Sequence, residues 1–102
     1  MQVIDNKLIN DKGEVAVLVS PGFGAGWSTW NSTSPTDARY AQFIYNGDLK
    51  TAEELAEKED QYAGGLGNCV LCWLLPGTEY YIDDYDGSEQ LITKDTYNWK
   101  VA

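Results

Sequence analysis

The run Val15-Ala16-Val17-Leu18-Val19 constrains the fold most strongly, because five consecutive apolar residues leave no polar face to turn toward water. Three of them are valines, which favour extended backbone. A strand of this kind is buried on both faces. Ser20-Pro21 ends it, since proline has no N–H to donate to a ladder. Upstream, Val3-Ile4 and Leu8-Ile9 flank the polar Asp5-Asn6-Lys7, and Asn10-Asp11-Lys12-Gly13 supplies turn residues. The N-terminal segment therefore reads as a β-hairpin whose second strand is Val15–Val19.

Helix signals follow. Ser34 is a candidate N-cap, Pro35 takes the first helical position and Asp37 lies in the first turn. Ala38, Ala41, Phe43, Ile44 and Tyr45 then face a core until Asn46-Gly47 stops the helix. A second helix is marked by the capping box Thr51-Ala52-Glu53-Glu54, with Leu49, Ala52, Leu55, Ala56 and Tyr62 near one stripe. Gly64-Gly65-Leu66-Gly67-Asn68 closes it. Cys69 to Leu75 reads as a buried strand ended by Pro76-Gly77, and Thr78 to Asp83 as a strand beyond that turn. After the turn at Asp86-Gly87, Gln90–Thr93 and Tyr97–Val101 can each add a short strand. The expected architecture is α+β, one domain over residues 1–102, with an antiparallel or mixed sheet of about five strands. Two helices cover one face, in the order β-β-α-α-β-β-β.

Charge narrows the function. Sixteen Asp and Glu oppose seven Lys and Arg, a formal net charge of −9. Such a surface repels nucleic-acid backbones and anionic membranes, so direct binding to either is disfavoured. It suits an inhibitor that presents carboxylates to a basic partner. No apolar run reaches membrane-spanning length and Met1-Gln2-Val3-Ile4-Asp5 lacks signal-peptide character, so a cytoplasmic location is expected. Cys69 and Cys72 form an isolated C-x-x-C, but the chain has no histidine and no second cysteine pair to complete a zinc site. They read as reduced core residues, and no metal or cofactor is expected. Without histidine, Ser20, Ser28 and the thiols have no activating base, so the chain reads as a non-enzyme. The acidic segment Tyr80 to Glu89 carries four carboxylates. A solvated hairpin tip is the simpler account of them than Ca²⁺ or Mg²⁺ binding or general acid catalysis.

The candidate ligand site is the stretch following Pro21: Gly22, Phe23, Gly24, Ala25, Gly26, Trp27, Ser28, Thr29 and Trp30. A loop running from a strand toward a helix exposes N–H groups that can hold an anion, although the spacing matches neither the P-loop nor the dinucleotide fingerprint. Trp27 or Trp30 can stack on a base, and Ser28 and Thr29 add hydroxyl donors. Arg39, the only arginine in the chain, can grip a phosphate with two parallel hydrogen bonds. Tyr81 is a candidate for the same pocket. The competing reading makes the glycines a tight corner, puts both tryptophans in the core and pairs Arg39 with a carboxylate.

Two segments carry a resemblance: Val17 through Asn31, and Leu75-Pro76-Gly77-Thr78 through Tyr85-Asp86-Gly87-Ser88-Glu89. They resemble a family of small acidic bacteriophage proteins with a Gly-Tyr-Gly-Ala-Gly-Trp-Ser-Thr-Trp segment and a Glu-Tyr-Asp-Gly-Ser-Glu segment. Phe23 stands for the tyrosine and Asp84 for the first glutamate. The chain thereby looks like the anti-defence sponge proteins, such as Sequestin and Lockin, that sequester ADP-ribose-type messengers of Thoeris immunity. The resemblance implies a homo-oligomer in the infected host that binds a nucleotide signal without cleaving it, with pockets at or near subunit contacts. The alternative is an acidic protein inhibitor of a nucleic-acid-binding defence complex, of anti-CRISPR or anti-restriction type. For it, neutralising Asp83, Asp84 and Asp86 weakens binding.

Overall fold

Asp5 and Asn6 both adopt positive φ, 50° and 58°, and turn the chain within two residues. Strand β1 (Gln2–Ile4) thereby pairs with β2 (Lys7–Ile9) in register Ile4 opposite Lys7. Short polar side chains tolerate this left-handed backbone, so Asp-Asn makes a two-residue hairpin turn without glycine. The N-terminal segment consequently holds three strands where the sequence suggests two, the third being β3 (Val15–Val19). The computed structural model describes residues 1–22 and 24–94. Phe23 and the expected strand Tyr97–Val101 lie outside the described residues.

Two antiparallel sheets carry the fold. The first has the order β1-β2-β3-β4, with β4 spanning Val70–Leu74; the second is the hairpin β5 (Tyr80–Tyr85) and β6 (Ser88–Thr93). Helices α1 (Ala38–Tyr45) and α2 (Leu49–Lys58) fall between β3 and β4. The architecture is α+β, in the order β-β-β-α-α-β-β-β. No helix among the described residues is long and apolar enough to cross a membrane.

Strand β3 is enclosed on both faces, as its composition requires. Ala16 and Leu18 are fully buried and join Leu8, Tyr40, Ala41, Ala52, Ala56, Leu66 and Trp27 in one core. Leu71 and Trp73, their partners on β4, pack against the same cluster. Alternate residues point the other way. There Val15, Val17 and Leu74 line a cavity of about 530 Å³ together with Tyr80 of β5. At the end of β3, the Glu89 N–H of β6 donates to the Ser20 carbonyl at 2.8 Å.

Both helices begin differently from their sequence signals. Asp37, not Ser34, is the N-cap of α1, its carboxylate accepting the Arg39 N–H at 3.0 Å. Pro35 stays outside the helix because its carbonyl accepts the Leu18 N–H at 2.8 Å, extending the β3 ladder. In α2 the cap is Asp48, which accepts from the Thr51 N–H, so Thr51 lies inside the helix and makes no capping box. Asn46-Gly47 ends α1 as expected, with Gly47 at φ 72°. Tyr62 falls beyond α2, half-exposed, instead of on its buried stripe. Among the described residues strand β4 is an edge of its sheet, and it is only partly buried, a correction to the buried strand expected from its composition.

Candidate functional site

The glycine and tryptophan stretch does hold an anion, and the anion is Glu89 of the same chain. Only 2% exposed, this carboxylate accepts the Ser20 N–H at 2.9 Å on Oε1. Its Oε2 accepts the Trp27 N–H at 2.8 Å, the Thr29 N–H at 3.0 Å and the Thr29 hydroxyl at 2.6 Å. Four donors converge on one buried carboxylate, the arrangement by which successive backbone N–H groups cradle a phosphate in other proteins. Glu89 reaches them because β6 is a strand: with Leu91 and Thr93 it occupies the inward register, one position removed from the solvent-facing Gln90. The solvated acidic tip inferred from composition therefore holds for Asp83 and Asp86, which are exposed, and not for Glu89.

The hairpin tip meets the loop in direct contact. Gly24 N–H donates to the Asp86 carbonyl at 3.0 Å and the Ser88 hydroxyl to the Pro21 carbonyl at 2.8 Å. The Trp30 indole N–H donates to Asp84 at 3.1 Å, whose other oxygen accepts the Gly87 N–H at 2.9 Å. Gly87 has φ 84°, and a Cβ there would fall 2.5 Å from the Ala25 nitrogen. Across the loop, a Cβ on Gly65 would run into the Gly26 carbonyl oxygen. At these two points the loop backbone packs directly on the hairpin turn and on the segment after α2, with no space for a ligand.

The other nominated residues fall into separate places. Gly22 lies against the Asn68 side chain, Gly26 is buried, and the Ala25 carbonyl accepts the Ser20 hydroxyl at 2.9 Å. Ser28 to Trp30 form a single 3-10 turn, pinned by Asn31, whose side-chain amide donates to the carbonyls of Trp27 and Tyr62 at 2.9 Å each. Trp27 is fully buried against Tyr40, ring centroids 4.8 Å apart, and its indole N–H has no hydrogen-bond partner among the described residues. Trp30 is 41% exposed and stacks on Tyr62 at 5.6 Å and 28°. Tyr81 sits on the outer face of β5 opposite Ile92, facing away from Glu89. It does not join the loop.

Arg39 is already held by two carboxylates. It donates to both oxygens of Asp37, at 3.1 and 2.9 Å, and to both of Glu59, at 2.6 and 3.1 Å. The Tyr40 hydroxyl adds a bond of 2.7 Å to Glu59. This network joins the start of α1 to the end of α2. Burial opposes the Asp37 charge, but the Arg39 side-chain and backbone hydrogen bonds together outweigh it and hold the carboxyl below its ordinary 3.8. The Arg39 and then the Tyr40 hydrogen bonds keep Glu59 below its ordinary 4.5. A carboxylate whose pKa is lower in the folded state stabilises the fold above its unfolded value, and that contribution is lost as pH falls through the folded value. The urea midpoint is therefore expected to drop as pH is lowered below 4.5, and to drop less in a Glu59→Gln protein. Equal slopes for the two proteins would show that Glu59 is not coupled to folding.

Cys69 and Cys72 are free and half-buried, and burial, with a smaller effect of the Glu89 charge, pushes the Cys69 thiol up to about 12. Burial raises Cys72 as well, and thiols so shifted are poor nucleophiles. Among the described residues no group of three His, Cys, Asp or Glu side chains converges to hold a metal. The cavity behind β3 is lined mainly by Ile4, Ile9, Val15, Val17, Leu74 and Tyr80, with Lys7 and Asp5 as its charged lining residues. One surface remains distinctive: on the outer face of the hairpin, Tyr81 (55% exposed), Asp83 and Tyr85 (76% exposed) form a stripe. No protein-family model, curated protein or solved structure matches the chain.

Proposed function

We propose that the protein is a non-enzymatic binding protein that engages a basic protein surface through the outer face of its β5–β6 hairpin. The observation that carries this reading is the stripe Tyr81, Asp83 and Tyr85, all exposed, with Asp86 exposed at the tip beside it. Tyrosine side chains supply large contact areas at little conformational cost, and they concentrate where interfaces draw their energy. Carboxylates between them, on a chain of net charge −9, steer toward a cationic partner and repel anionic ones. The occupied anion cradle and the doubly paired Arg39 weigh against phosphate as the primary ligand. An inhibitor of a nucleic-acid-binding defence complex in phage-infected cells is the role that best combines this surface with the sequence resemblance.

The test is inhibition of DNA binding by purified CRISPR effector and restriction complexes. Inhibition is expected for a susceptible complex, relieved by added salt. It should weaken about tenfold or more in a Tyr85→Ala protein, and also in an Asp83→Asn/Asp86→Asn protein that leaves the Trp30 partner Asp84 in place. Salt-insensitive inhibition unaffected by those changes would overturn the reading.

A second reading, sequestration of a nucleotide signal, draws support from the exposed Trp30 stacked on Tyr62, an aromatic platform on which a base can lie. Calorimetry against cyclic ADP-ribose isomers and cyclic dinucleotides distinguishes the two. Binding heat that disappears in a Trp30→Ala protein, with ligand recovered intact, would favour sequestration.

A further inference from the structure

We infer that β4 is the edge through which two copies of the chain join, antiparallel, into one continuous sheet about a two-fold axis at Cys72. On one side β4 pairs with β3 over five consecutive residues without a bulge. On the other, none of its outward N–H and C=O groups has a hydrogen-bond partner among the described residues. An unpaired edge invites another strand, and natural edges are normally protected by charge, proline, a bulge or short length. The opposite edge is protected in this way: β1 has three residues and leads into Asp5. Among the described residues strand β4 has none of these features.

Charge selects a second copy as the occupant. Each chain carries −9, so two copies repel wherever their carboxylates face one another. From Gln61 to Thr78 the sequence contains no Asp, Glu, Lys or Arg, and that uncharged segment ends in β4 and its turn. Val15 to Thr36 is also uncharged, but its strand β3 is interior. Around β4 the surface is apolar: Val70 is 47% and Leu75 64% exposed. At its start, a hollow of about 160 Å³ is lined by Ile44, Leu49, Leu66 and Cys69. A strand that pairs with itself across a two-fold axis must be antiparallel, and it overlaps fully only when its middle residue lies on the axis. That residue is Cys72. The two Cys72 side chains then share one face with Cα atoms about 4.5–5.5 Å apart, within disulfide range.

The experiment combines sedimentation equilibrium with cross-linking by diamide at alkaline pH, where a thiol raised by burial still ionises; diamide takes two protons and two electrons from a pair of thiols and leaves as the hydrazine. The expected mass is twice the 11.4 kDa of one chain. A covalent dimer should form in the wild-type and Cys69→Ser proteins and fail to form in Cys72→Ser. A Val70→Lys protein, with circular dichroism unchanged, should dimerise about tenfold or more weakly, because the lysine charges an edge that must pair. A monomer at every concentration tested would overturn the inference. So would a dimer that forms no Cys72 cross-link, or one that a folded Val70→Lys protein makes as tightly as wild type.

Discussion

Replacing Glu89 by alanine is expected to destabilise the protein by about 3–5 kcal/mol, because it removes the one acceptor of four hydrogen bonds, and bonds to a charged group contribute about 1.5–3 kcal/mol each before water recovers part of the loss. The carboxylate accepts from Ser20, Trp27 and Thr29, the last twice. Alanine leaves those donors without their acceptor, and each unsatisfied buried group costs about 1–3 kcal/mol. Water entering the vacated space recovers part of that. Domains of this size have a total stability of about 5–15 kcal/mol, so the variant is expected to lie near the limit of folding at room temperature. Urea denaturation followed by tryptophan fluorescence measures it. Glutamine keeps the shape but offers a single oxygen and turns an N–H₂ group toward donors, so a loss of about 2 kcal/mol or more is expected for Glu89→Gln. A fall of less than 1 kcal/mol for the alanine protein, near the value of one ordinary hydrogen bond, would contradict the role assigned to the carboxylate.

The two tryptophans of the loop should behave oppositely. Trp27 is fully buried against Tyr40, and truncating a buried aromatic to alanine costs about 3–5 kcal/mol. Its indole N–H, without a partner among the described residues, reduces what the ring contributes. A Trp27→Phe protein removes that polar group and fills most of the space, so it should recover much of the loss. Trp30, 41% exposed, contributes its Tyr62 stacking and one exposed bond to Asp84. Its replacement by alanine should cost about 1 kcal/mol. Thermal melts of the three proteins would test the contrast. Equal losses at positions 27 and 30 would refute the assignment of one ring to the core and the other to the surface.

The apolar run Val15–Val19 defines the central strand from composition alone, because nothing but enclosure on both faces satisfies it. The turns at Asn46-Gly47 and Asp86-Gly87 were equally legible, since backbone chemistry is local. Helix starts were less so. Asp37 and Ser34 are both competent caps, and what decides between them is Pro35 bonding to Leu18, a contact made through tertiary structure. Edge position was hidden for a similar reason. Cys69 to Leu75 has the composition of an interior strand, and whether a neighbour lies beyond it is a property of the whole sheet.

At the candidate site, the sequence pointed to a loop whose N–H groups hold an anion and assigned that anion to a ligand phosphate, whereas in the structure those groups are taken by the Glu89 carboxylate. Glu89 could have been suspected from the alternation Glu89, Leu91, Thr93, which places a carboxylate in the register of inward-facing residues. The cluster of Asp residues before it suggested a solvated tip instead. Arg39 stands between two carboxylates brought together by helix packing, one two residues away and the other twenty. No local pattern reveals the second.

The Glu89 contacts also impose an order on folding. The partners of this carboxylate lie 60 to 69 residues earlier in the chain, so a polypeptide emerging from the ribosome makes the loop long before it makes the group that shapes it. Until the second hairpin is synthesised and docks, the loop's amides are solvated by water and its glycines sample many conformations. Closure of so long a segment belongs to the slow, non-local part of folding. A nascent chain arrested before residue 89 should therefore carry the sheet and helices without a formed loop, and the loop should gain protection from hydrogen exchange only when the hairpin arrives.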